Sequence, residues 1–136
     1  MGRKVLSQWQ YKVAATHRLM DAAKLCSEKR WAGTVYLSGY GIECMLKAEL
    51  AQELAAIGGW KKHTDSTLFE AMWIHDLVVI AAALAYPDQL ADEIKDFSKM
   101  WKVSLRYSTR PVPRPTAELR LAQAESIAKQ IGYRLT

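Results

Sequence analysis

From Trp31 to Ile57 apolar positions recur every three or four residues without a break, through Val35, Gly39, Ile42, Leu46, Leu50 and Leu54. This is the helical period. The pair Gly58–Gly59 then stops it, as glycine commonly does at a helix C-terminus. Residues 6–29 ahead of it also read as a long helix, with Leu6, Trp9, Val13, Thr16, Met20 and Ala23 on one stripe. The short break "SEKRWAG" between them makes the two helices antiparallel neighbours. A chain that starts this way is committed to an all-α bundle.

The remaining segments agree with that class. Thr67 and Glu70 have the spacing of a capping box for a short turn, "TLFEAMW". A third helix is expected over "HDLVVIAAALA", running on from that turn. "YPD" separates it from a fourth, where Pro87 suits a first turn and Leu90, Ile94, Phe97 and Trp101 form an apolar stripe. Beyond Trp101 the pattern fails: "RPVPRP" holds three prolines in five residues, which favours an extended segment. Thr116 is placed to cap a last helix, with Ala117, Leu121, Ala124, Ala128 and Ile131 on one face. The expected architecture is four to five helices in one domain, residues 1–136, with no strand.

Composition narrows the class of protein further. Half of the 136 residues are hydrophobic, enough for a real core. No apolar run nears the roughly 20 residues of a membrane span, and the N-terminus lacks the apolar stretch of a secretory signal. Cys26 and Cys44 have neither metal-ligand nor Cys-x-x-Cys spacing, so free thiols in a cytoplasmic protein are expected. Three scattered histidines complete no ligand set either, and neither metal nor cofactor is expected. The net charge of +5 is unevenly spread. Residues 1–30 and 101–136 each hold seven Lys/Arg against two acids, whereas the middle is acidic. Ends that met in the fold would form a basic face suited to nucleic acid or nucleotide phosphates; otherwise they are solvated surface.

The stretch "YLSGYGIECMLKAEL" poses the sharpest question. Each glycine within a helix costs about 1 kcal/mol relative to alanine. Gly39 lies on the apolar stripe, so close approach of a neighbouring element, or of a ligand, can offset that cost. Tyr36, Tyr40, Glu43 and Lys47 form a second, polar stripe. Glu43 and Lys47 are ordered for an i,i+4 ion pair, which contributes only about 0.3–0.5 kcal/mol if exposed. If buried, Glu43 needs a further partner, for which His75 and Arg106 are the candidates. The stripe is then an exposed ion pair, a buried network locking the bundle, or a reactive site.

Two further groups carry possible chemistry. His75 can take a proton and Arg106 can stabilise a phosphorane, the two needs of metal-independent RNA cleavage. The simpler reading has Asp76 at a helix N-terminus and His75 capping or packing beside it. Arg106, Arg110 and Arg114 recur every four residues around the prolines and can contact successive phosphates, with Tyr107 stacking on a base. An ordinary charged loop is the alternative. Of the five tryptophans, some belong in the core, and one or two can anchor a dimer interface.

Three of these fragments together resemble one family. "YLSGYGIECMLKAEL", then "WIHDL" with His75 and Asp76, then "WKVSLRY" with Trp101, Arg106 and Tyr107, are similar in order and spacing to a prokaryotic group of HEPN-domain proteins (higher eukaryotes and prokaryotes nucleotide-binding). The resemblance covers residues 5–130. It implies a four- or five-helix bundle, commonly a homodimer, often encoded with a nucleotidyltransferase partner or in defence and toxin–antitoxin systems. Many members are metal-independent ribonucleases with an arginine, then four to six residues, then a histidine. This chain departs from that pattern: no histidine follows Arg106, and none of His17, His63 and His75 has an arginine at that spacing. The resemblance thus implies a dimeric module binding nucleotide or RNA beside a partner protein. The alternatives are a divergent ribonuclease toxin with a rearranged site and a structural or antitoxin-like partner.

Overall fold

The computed structural model describes residues 4–102, 105 and 110–135, and among them every regular element is helical. The elements are α1 (Gln8–Ser27), α2 (Trp31–Ala56), α3 (Thr67–Ala71), α4 (Leu77–Ala82), α5 (Asp88–Ser98) and α6 (Arg114–Arg134), with a 3-10 turn at Trp60–Lys62. No helix among the described residues is long and apolar enough to cross a membrane. One buried cluster draws side chains from all six helices.

α2 is the axis of the molecule. Val35, Ile42, Leu46, Leu50 and Leu54 are all buried, as the periodicity predicts, but so are Ser38, Glu43, Lys47 and Glu49 on its other sides. A helix buried almost all round has neighbours all round. α1 runs antiparallel to it: Leu25 packs at Gly33 and Leu19 at Gly41. α6 runs parallel to it, since Arg114 lies over Trp31 and Arg134 reaches Glu49. α5 lies antiparallel along α6, tied by Arg120 and Gln123 to Asp96 and by Gln130 to Glu93.

The helix ends follow local chemistry. Ser7 and Gln10 close a reciprocal capping box on α1. Ser66, one residue before the expected Thr67, caps α3 by accepting from Phe69 N–H at 3.1 Å. The expected third helix is in fact separate from that turn: Asp76 accepts from the N–H groups of Val78 and Val79 and starts α4 afresh. α6 begins at Arg114, two residues before the expected cap Thr116, with Pro115 inside its first turn. Proline is tolerated there because the first N–H groups of a helix have no intrahelical partner.

α1 corrects the sequence reading in a second way. Its inward residues are Ala15 and Ala22, both 0% exposed, while Trp9 of the expected core stripe is 70% exposed and Met20 64%. Small residues on both helices, Ala15 and Ala22 of α1 and Gly33 and Gly41 of α2, let the two approach closely, with Leu25 and Leu19 seated at the glycines. A Cβ on Gly41 would stand 2.6 Å from the Leu19 side chain.

Candidate functional site

Trp101 follows α5 and lays its ring across α2 at Gly39. A Cβ there would fall 2.0 Å from the indole, so only glycine admits the ring. The indole Nε1–H donates to the Tyr36 carbonyl at 2.9 Å. Tyr40 meets both Trp101 and Tyr36 edge to face, at ring-centre separations of 5.6 and 4.9 Å. The close approach expected at Gly39 is therefore made by an aromatic ring.

One turn further along α2, Glu43 is buried, with 6% of its side chain exposed. Lys47 Nζ donates to its Oε2 at 2.9 Å. His75 Nδ1 lies 3.1 Å from Oε1 and 3.2 Å from Oε2. Glu43 is therefore no exposed ion pair: it sits in a buried network, and His75 is its partner from elsewhere in the chain. An ionised carboxylate only accepts, so Nδ1 carries the proton and donates. In the neutral imidazole, Nε2 is then the basic nitrogen. The ring itself is 55% exposed.

A cleft of about 360 Å³ opens at this point, lined by His75, Asp76, Leu77, Val78, Ser98, Trp101 and Lys102. Its volume falls in the range of small-ligand sites. It sets an imidazole, a hydroxyl and an ammonium beside the apolar Val78. Asp76 serves the backbone as the cap of α4 while standing at the rim. Next to Glu43, burial pushes the Cys44 thiol up to about 11, with the Glu43 charge adding to the rise. At neutral pH it stays a thiol and is no nucleophile. Among the described residues no group of three His, Cys, Asp or Glu could hold a metal ion.

The arginine segment is less unified than its spacing suggests. Arg106 and Tyr107 lie outside the described residues. Arg110 is exposed, immediately before the first of the three prolines. Arg114 belongs to α6, where its Nε donates to Glu118 at 3.1 Å and its guanidinium lies over the Trp31 ring.

A second buried acid went unread in the sequence. Glu49, 2% exposed, accepts from Tyr86 O–H at 3.2 Å and from Arg134 Nε at 3.2 Å. Burial raises its carboxyl above the ordinary value, and Arg134 and Tyr86 oppose the rise without cancelling it. Burial and the Glu49 charge push the Tyr86 hydroxyl up as well. Arg134 also stacks over the Tyr86 ring at 4.9 Å. The available signal was an acid directly beside Leu50 of the apolar stripe of α2. This cluster pins the end of α6 to α2 and the α4–α5 loop.

No protein-family model matches the chain, and neither any curated protein nor any solved structure is similar to it at a significant level.

Proposed function

We propose that this chain is a HEPN-like binding module whose His75 cleft takes the phosphate of a nucleotide or of single-stranded RNA, and that it works beside a partner protein. One observation carries the reading: residues from each of the three sequence fragments that resemble that family meet at a single site. Tyr36, Tyr40 and Glu43 from α2, His75 and Asp76 ahead of α4, and Trp101 after α5 form one contiguous cluster. The cleft beside it offers Lys102, Ser98 and His75 as phosphate partners. The excess of basic residues at both chain ends suits a polyanion.

The test is a fluorescence-anisotropy titration of single-stranded RNA at two salt concentrations. Wild type binds more weakly at high salt. Lys102→Ala lowers affinity at low salt and reduces the log–log salt slope by about one. Absence of binding, or identical curves for Lys102→Ala, contradicts the reading.

The Glu43–His75 contact favours a second reading, metal-independent RNA cleavage. Nε2 of His75 would take the proton of a 2′-hydroxyl, whose oxygen attacks the adjacent phosphorus. The 5′-oxygen would leave with a proton from water, and Lys102 would stabilise the charge on the phosphorane. Scission in EDTA that disappears in folded His75→Ala selects this reading. RNA left intact by the wild type rejects it and leaves the binding module.

A further inference from the structure

The cleft beside His75 holds one group that a phosphate does not explain. Asp76 lines it together with Ser98 and Lys102, yet a carboxylate repels a phosphate. Asp76 is fixed in place as the cap of α4. Its Oδ1 accepts from Val78 N–H at 3.0 Å and from Val79 N–H at 3.3 Å. Both cap bonds fall on the same oxygen. An ionised carboxylate has about two acceptor positions on each oxygen, so the cap leaves those of Oδ2 unused. The residue is exposed at the rim. Leu77 and Val78 follow it directly and line the cleft as well, with Val78 40% exposed.

A ligand with its phosphate at Lys102 therefore meets apolar surface and an anionic acceptor at the α4 side. Its other end must be a flat apolar face edged with neighbouring hydrogen-bond donors. We infer that the cleft selects guanine, an inference that rests on the phosphate reading above. The N1–H and the exocyclic amine of guanine donate side by side to the Asp76 carboxylate, while the ring lies against Val78. The other bases match less well. Adenine and cytosine set a ring-nitrogen acceptor next to their amine, and uracil flanks its one N–H with carbonyl oxygens, so each turns lone pairs toward the carboxylate. The N–H groups of Val78 and Val79 are already engaged by Asp76 and are not the binding feature. The ligand class is a guanine nucleotide, free or within single-stranded RNA.

The test follows the His75 imidazole resonances by NMR as the full chain is titrated with guanosine monophosphate and, separately, adenosine monophosphate. Wild type should bind the guanine nucleotide about tenfold more tightly, the scale of one paired base contact. Asp76→Asn isolates that contact. Asparagine caps a helix about as well as aspartate, so its side-chain oxygen keeps Val78 and Val79 and melting curves should be unchanged. Its amide nitrogen sets a donor where Oδ2 stood, against the donors of guanine. Loss of the negative charge favours both phosphates alike, so the ratio of affinities reports on the base. That ratio should fall from about ten to about one or below. RNA heptamers identify the source of the base. A preference for a single central guanosine over oligouridylate, read by anisotropy, places guanine within a strand; a preference confined to mononucleotides makes the free nucleotide the ligand. Equal affinities for the two mononucleotides in wild type, or a ratio that Asp76→Asn leaves unchanged, overturn the guanine assignment while the phosphate site stands. Shifts with neither nucleotide overturn both.

Discussion

Glu43 and His75 show how two residues in one contact can have different consequences when changed. Glu43 is buried with Lys47 against it, so Glu43→Ala would leave an ammonium that is only 11% exposed without its carboxylate. Breaking a buried pair in this way costs about 3–5 kcal/mol, and chemical denaturation should show a loss at the lower end of that range or above. The imidazole of His75 is more than half exposed, so His75→Ala should cost under about 1 kcal/mol while weakening RNA binding. Equal losses of stability from the two substitutions would mean that His75 is chiefly a structural cap. Glu49 gives a separate prediction in pH. Its folded-state carboxyl is raised above the ordinary 4.5, chiefly by burial. The folded protein therefore holds a proton where the unfolded chain has released one. Stability from this group rises as pH falls through the folded value toward 4.5, and is constant below it. Wild type measured against Glu49→Gln should gain in melting temperature as the pH falls from 7 toward 4.5. A difference that shrinks over that interval would show that Arg134 outweighs burial.

At the scale of elements, the legibility of the sequence varied with what each helix packs against. α2 and α5 announced themselves because their large apolar residues face the core, and Leu90, Ile94, Phe97 and Trp101 are all buried. α1 was legible as a helix but not as a face. Its fully buried positions are Ala15 and Ala22, and Leu19 and Leu25 pack at glycines of α2, whereas Trp9 and Met20 of the expected stripe point outward. Periodicity ranks faces by hydrophobicity and has no means of seeing how closely two helices approach. The caps at Ser66 and Asp76 were within reach, since both residue types favour that position, but the competing Thr67–Glu70 spacing concealed the first. The site was half legible. The polar stripe of Tyr36, Tyr40, Glu43 and Lys47 could be read from α2 alone, and His75 stood as a candidate partner. That Glu43 pairs with His75, and that Trp101 seats on Gly39, depends on how α4 and α5 return to α2. Gly39→Ala tests that seating. Alanine gains about 1 kcal/mol of helix propensity, yet a Cβ 2.0 Å from the indole must expel the ring. A net destabilisation of about 2 kcal/mol or more is expected from overpacking, read by urea denaturation. A neutral or stabilising result would place Trp101 elsewhere.

The whole molecule is a helical bundle with an open cleft beside Glu43 and His75. Three long helices, α1, α2 and α6, make the frame, and the short helices α3 to α5 close around it. The cleft lies where the frame meets the short helices, with Glu43 fixed in the frame and His75 held at the edge of α4. The three histidines allow the phosphate site to be tested in one spectrum. The measurement is a titration of the full chain with adenosine monophosphate, followed by the imidazole NMR resonances of His17, His63 and His75. Saturable shifts are expected at His75, absent in Lys102→Ala, with His17 and His63 unmoved. A His75 signal that stays in place, or that moves no more than the other two, would contradict the assignment of the cleft as the phosphate site.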